Sequence, residues 1–233
     1  MLKIENLTAG YNKLEVLHKI DFDVQEKQIV AFIGPNGSGK STILKSIFGI
    51  ADLFSGKIQF EGRDLKKLKT HELIKIGIAF VPQGKIVFEE LTVEENILIG
   101  GRLLDDKLMM QDHLEEVYKK FPVLKNKKKE LAYALSGGQR QQLALGRALM
   151  IKPKLLLMDE PSLGLSPILQ KQLFKLIEEL KEEGISILIV EQNAKKAIEI
   201  ADYTFLLESG KMALKGGKDI VEHKKIREVY LGG

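Results

Sequence analysis

Gln28-Ile29-Val30-Ala31-Phe32-Ile33-Gly34-Pro35-Asn36-Gly37-Ser38-Gly39-Lys40-Ser41 changes character midway. Residues 28–33 are an apolar run of the kind that forms a buried strand, and they lead directly into a glycine-rich turn. Residues 40–48 then read as a helix. The spacing of Gly34, Gly39, Lys40 and Ser41 fits the P-loop pattern, in the strand–turn–helix setting that gives it meaning. Glycines let backbone N–H groups turn inward around phosphate oxygens, and the helix start adds the positive end of its dipole. Lys40 brings a mobile point charge for β- and γ-phosphates, and the Ser41 hydroxyl, with Thr42 beside it, is placed for Mg²⁺. The competing reading is a chance match, and the strand before and the helix after count against it. Residues 34–42 are therefore expected to hold ATP with Mg²⁺.

Further along, Leu155-Leu156-Leu157-Met158-Asp159-Glu160 is an apolar strand ending in two adjacent carboxylates. Asp159 suits the hydration shell of Mg²⁺. Glu160, one residue on, is then free to orient and deprotonate the attacking water. Adjacent acids at an exposed strand end are common; in a chain that also has a phosphate loop, the catalytic reading prevails.

Between and around these motifs, Leu2, Ile4, Leu17, Ile20, Phe22 and Val24 alternate as antiparallel strands do. A strand over 78–81 ends at Pro82. From about 84 to 150 the periodicity is helical, with Thr92 and Glu95 forming a capping box and a helix over 107–121 ended by Pro122. Strands return at 154–158, 185–190 and 203–207, separated by helices over 167–182 and 194–201, and Ser209-Gly210 reads as a two-residue hairpin turn. Strands alternating with helices imply a mostly parallel sheet flanked by helices. The expected fold class is α/β. It has a P-loop NTPase core over 1–83 and 151–233, an N-terminal antiparallel β subdomain, and an inserted helical subdomain over 84–150, all in one domain of residues 1–233.

Leu135-Ser136-Gly137-Gly138-Gln139 resembles the signature motif of ABC ATPases, and its place between the phosphate loop and the carboxylate strand is similar to that family's. The resemblance runs from about Leu2 to beyond Gly210. It implies that Tyr11 stacks on adenine with Val16 beside it, and that Gln83 senses Mg²⁺ and the γ-phosphate. Residues after Gln83, through about Leu104, would meet a transmembrane permease. Ser136, Gly137, Gly138 and Gln139 would serve the γ-phosphate held by a second ATP-binding subunit. By itself a hydroxyl and close-approaching N–H groups at a helix start suit an anion; a glycine-rich helix start without a ligand is the bland alternative for Ser-Gly-Gly alone.

Two departures narrow the resemblance. Ile189-Val190-Glu191-Gln192-Asn193 places Gln192 where the family usually carries a switch histidine; an amide donates a hydrogen bond but takes up no proton. No titration near pH ~6.5 is therefore expected from this position. Ser162-Leu163-Gly164-Leu165-Ser166 ends in serine where many relatives have aspartate. The pair is similar to one of the two ATP-binding subunits of branched-chain amino-acid importers, the LivF type, with urea-type importers and lipid exporters as alternatives.

Composition closes off other classes. With 233 residues, 44% hydrophobic and 29% charged, the chain is ordinary for a globular protein with a core. It has no cysteine, which excludes disulfides, thiolate nucleophiles and cysteine zinc sites, and His18, His71, His113 and His223 form no local metal motif. No apolar stretch approaches the roughly 20 residues a membrane-crossing helix needs. With no basic-then-apolar start visible either, the expected location is the cytoplasmic side of the membrane, held there by partners. The net charge of +4 raises nucleic acid, but the basic residues are dispersed and the run at 125–129 lacks aromatics, so it reads as solvated surface and no nucleic-acid partner is expected. A repair or translation ABC ATPase would bring coiled-coil insertions, zinc cysteines or fused units; a nucleotide sensor would not need Glu160.

Overall fold

The computed structural model describes residues 1–84, 87–104, 106–224 and 226, organised on two sheets. Strand β1 (Leu2–Tyr11) pairs antiparallel with β2 (Leu14–Val24) across Asn12 and Lys13, which adopt φ of 47° and 70°. Two positive-φ residues give a turn whose twist matches the hairpin it joins. β3 (Ile29–Ile33) opens the second sheet and α1 (Lys40–Ile47) follows the glycine loop. β4 (Asp52–Phe60) and β5 (Arg63–Asp64) return to the first sheet, whose order is β2-β1-β4-β5. β4 has no counterpart among the strands expected from the sequence. Its pairing with β1 slips between Glu5 and Thr8, and this irregularity destroys the period-two pattern a strand would otherwise show.

α2 (Thr70–Lys75) precedes β6 (Ile78–Val81). The helical stretch then holds α3 (Val93–Gly100), α4 (Lys107–Lys120), α5 (Pro122–Asn126) and α6 (Gly137–Leu149). The capping box forms as expected: Thr92 Oγ1 accepts the Glu95 N–H at 3.2 Å and Glu95 Oε2 accepts the Thr92 N–H at 2.8 Å. Pro122 ends α4 and also begins α5, because its fixed φ suits a first helical position. Within the lysine run, Lys125 pairs with Glu115 and Lys127 with Glu130 at the surface.

β7 (Leu155–Asp159), α7 (Pro167–Glu182), β8 (Ser186–Val190), α8 (Ala194–Ile200), β9 (Tyr203–Glu208) and β10 (Lys211–Gly216) complete the chain. The second sheet has the order β10-β9-β3-β8-β7-β6, parallel throughout except for β10 at its edge. Both its faces are buried, which explains why its strands read as continuous apolar runs. Ile29, Ala31, Ile33, Leu156, Met158, Ile187 and Ile189 face a cluster shared with Val93, Ile97, Val117, Leu143 and Ile177 of the helices. The alternate residues Val30, Phe32, Leu157, Leu188 and Val190 face α1 and the antiparallel sheet through Ile43, Leu44, Leu17 and Ile20. Each of these side chains apart from Ala31 contributes roughly 1.5–3 kcal/mol of transfer free energy. Parallel pairing has one further consequence: the carboxyl ends of β3, β6, β7 and β8 emerge along the same edge, where open α/β sheets bind ligands.

Candidate active site

The loop leaving β3 turns on Gly34, at φ 153°, where a Cβ would lie 2.2 Å from the Leu207 carbonyl oxygen. No other residue fits between loop and β9. The Lys40 side chain lies under the loop and donates to the Gly34 and Pro35 carbonyls at 2.9 and 3.0 Å. Burial draws its ammonium below the usual range, against the attraction of Glu160, Asp159 and Glu191. Ser41 Oγ donates to Asp159 Oδ1 at 2.7 Å, joining the first turn of α1 to the end of β7. Asp159 is 1% exposed, and burial pushes its carboxyl upward while the Ser41 bond partly offsets this.

Glu160 follows in the left-handed region, at φ 45°, its N–H held by the Val190 carbonyl at 2.9 Å. One carboxylate oxygen receives two amides, Gln83 Nε2 at 2.8 Å from beyond β6 and Gln192 Nε2 at 3.0 Å from beyond β8. Gln192 Nε2 also reaches Asn36 Oδ1 of the glycine loop at 3.0 Å. Residues distant in sequence thus meet at one carboxylate because four parallel strands end beside one another. Tyr11, Val16, Asn36, Gly37, Gly39, Lys40, Ser41, Thr42, Gln83, Glu160 and Gln192 line a cleft of about 390 Å³, within the roughly 300–1,000 Å³ usual for small-molecule sites.

Ser136, Gly137, Gly138 and Gln139 do not line this cleft. Ser136 caps α6: its Oγ accepts the Gln139 N–H at 3.3 Å, and Gln139 Oε1 accepts the Ser136 N–H at 3.1 Å. Gly138 lies against Leu169 of α7, where a Cβ would come within 2.7 Å of the leucine methyl.

Two contributors escaped the sequence reading. Gly210 donates its N–H to the Ser38 carbonyl at 2.9 Å, so the β9–β10 turn supports the phosphate loop. Glu191, 1% exposed, accepts both the N–H (3.0 Å) and the Oγ (2.8 Å) of Ser162. Burial pushes its carboxyl upward, opposed by the bonds from Ser162 and Asn193. The apolar strand running into Glu191 was the available signal, since a carboxylate there is buried by position.

A glycine loop between strand and helix, its lysine beneath it, and a carboxylate pair at the end of the parallel strand β7, with β8 between it and β3, define a P-loop nucleotide-binding protein. The family model described as ABC transporter matches residues 17–163, and the chain belongs to the ABC transporter family. It is 43% identical to the high-affinity branched-chain amino acid transport ATP-binding protein BraG of Pseudomonas aeruginosa, over 100% of both chains. It is 42% identical to the probable branched-chain amino acid transport ATP-binding protein LivF of Archaeoglobus fulgidus, over 100% of this chain and 99% of that one. A crystal structure of an ATP-binding cassette of an ABC transporter, in its ADP conformation, superposes with a TM-score of 0.86 at 30% identity, covering 100% of this chain and 99% of that one.

Proposed function

We propose that this chain is the ATP-hydrolysing subunit of a branched-chain amino-acid importer. It would be held at the cytoplasmic side of the cell membrane by permease subunits. What carries the proposal is the convergence of Lys40, Ser41, Gln83, Glu160 and Gln192 on one cleft, with Asp159 bonded to Ser41 behind it, in a chain 43% identical along its whole length to an amino-acid transport subunit. No described helix is long and apolar enough to cross a membrane, so passage of the solute falls to other subunits.

In this reading the loop over 34–39 and Lys40 hold the phosphates, with Ser41 and Thr42 at the helix start. Tyr11 stacks on adenine and Val16 packs beside it. The Ser41 hydroxyl, the Asp159 carboxylate and the Gln83 side-chain oxygen are hard donors fit for Mg²⁺. No described cluster of three or more carboxylates, histidines or cysteines competes as an all-protein cage, in keeping with an ion that relies on substrate phosphates and water. When bound, Mg²⁺ neutralises charge on the transferring phosphoryl group. Glu160 orients the attacking water and takes its proton as the new P–O bond forms and the bond to ADP breaks. Gln192 donates to the γ-phosphate without titrating. Ser136, Gly137, Gly138 and Gln139 serve the nucleotide of a second ATP-binding subunit. Residues 84–150 act as a helical subdomain, with the segment after Gln83, through about Leu104, facing the permease; residues 85 and 86 of that segment lie outside the described ones.

Glu160→Gln tests the assignment, because an amide keeps the size and removes the base. Turnover should fall by about a hundredfold or more, and the variant should run as an ATP-dependent dimer in size-exclusion chromatography. Turnover equal to the parent's removes Glu160 from the mechanism.

A further inference from the structure

Two loops leave the adjacent parallel strands β7 and β8, where Asp159 stands opposite Val190. They are bridged twice. The outer bridge runs from Gln192 Nε2 to Glu160 Oε2 at 3.0 Å, in the cleft itself. Both its members are groups assigned above to the substrate, so in that reading this bridge would give way as phosphate and water arrive. The inner bridge runs from Glu191, one residue before Gln192, to Ser162, two residues after Glu160, with the two carboxylate oxygens matched to the serine N–H and Oγ. Glu191 and Ser162 are 1% and 3% exposed, and neither lines the cleft. The inner bridge thus lies out of the ligand's reach, while the outer one stands in its path.

Ser162 is also held from its far side. Gln170, in the first turns of α7, donates to the Ser162 and Leu165 carbonyls at 3.4 and 3.3 Å, and Ser166 caps that helix. The setting of Ser162 thus passes along 163–166 to the start of α7, and Leu163 on the way is 44% exposed. A carboxylate is an expensive way to fill buried space unless its acceptors are needed, and here both donors of Ser162, together with the Asn193 backbone, answer its acceptor oxygens.

We infer that Glu191 is a positioning residue for hydrolysis: its paired bonds to Ser162 fix the loop carrying Glu160 against the loop carrying Gln192, and couple both to the segment 163–166. The inference rests on the ATPase reading above. It differs from a packing role in what it moves: Glu191 does not line the cleft, so its loss falls on the chemical step more than on binding, and because its attraction for Lys40 is lost equally in Glu191→Leu and Glu191→Gln, the difference between those two variants reports the Ser162 bonds alone.

The experiment compares the full chain with Glu191→Leu, Glu191→Gln and Ser162→Ala, measuring ATP turnover against ATP concentration, ADP affinity by calorimetry and thermal unfolding. Leucine fills the volume and accepts nothing. Its kcat should fall at least about tenfold, with KM and ADP affinity within about twofold of the parent. Glutamine accepts the Ser162 N–H and donates to its Oγ, so Glu191→Gln should recover kcat to within about threefold of the parent. Ser162→Ala loses one of the two bonds at little risk to the fold, and should lower kcat by an intermediate factor at unchanged KM. Parent-like kcat in Glu191→Leu or in Ser162→Ala, or a Glu191→Gln variant as slow as the leucine variant, overturns the inference. A parent chain that neither binds nor hydrolyses ATP overturns the ATPase reading, and this inference with it.

Discussion

Gly210 acts on the phosphate loop from a turn that sequence spacing places nowhere near it. Its φ is +73°, and a Cβ would stand 1.9 Å from the Val16 carbonyl oxygen while the N–H is bound to Ser38. Gly210→Ala meets backbone, not a movable side chain, so the turn must retreat and release the Ser38 carbonyl. We expect a loss of roughly 2–3 kcal/mol, read as a lowered midpoint in urea, together with weaker ATP binding in equilibrium titration. Unchanged affinity in the folded variant would show that the loop holds itself. The contrast with Lys40, Ser41, Asp159 and Glu160 explains what was legible. Those residues are fixed by local spacing on a strand end or helix start, so their neighbours in sequence announce them. Gly210 and Glu191 matter through contacts with residues 172 and 29 positions away in sequence (Ser38 and Ser162), and no local pattern encodes such a meeting.

At the scale of elements, the parallel strands explain both the site and its electrostatic cost. β7 and β8 end side by side, and each delivers a buried carboxylate, Asp159 and Glu191, whose protonation burial favours. Because the native state holds those protons more tightly than the unfolded chain does, the stability from these groups is greatest below their ordinary values of 3.8 and 4.5. It declines as pH rises towards the raised native values, then levels off. The exposed Glu5, Glu95 and Glu115, shifted downward by surface partners, run the other way but are well screened. Glu191→Gln removes one declining contribution. In thermal denaturation without nucleotide, the melting temperature of the variant relative to the parent should therefore climb with pH above the ordinary carboxylate value of 4.5 and then plateau. A gap independent of pH would mean that Glu191 titrates alike in both states. Element type was legible where periodicity was clean, as in α7, read over 167–182 and observed as Pro167–Glu182. It failed at β4, where the shifted register with β1 mixes buried and exposed positions, and at α5, where Pro122 served as both stop and start.

Across the whole molecule, the cleft and the signature residues lie apart. The glycine loop, Gln83, Glu160 and Gln192 share one cleft, while Ser136 and Gln139 cap their own helix and Gly138 packs on α7. An arrangement in which each nucleotide meets the loop of one chain and the signature of another makes a sharp prediction about mixtures. Lys40→Ala disables the loop half, and Ser136→Arg disables the signature half by placing a long cation at the helix start. Each variant alone should be nearly inactive. A mixed pair contains one pocket with both defects and one pocket with neither, built from the intact loop of the Ser136→Arg chain and the intact signature of the Lys40→Ala chain. Mixing the two in equal amounts should restore ATP turnover that neither shows alone, and dilution of the mixture should abolish it as the pairs dissociate. If each pocket were completed within a single chain, every chain in the mixture would carry a broken pocket, and no ratio of the two variants would recover activity.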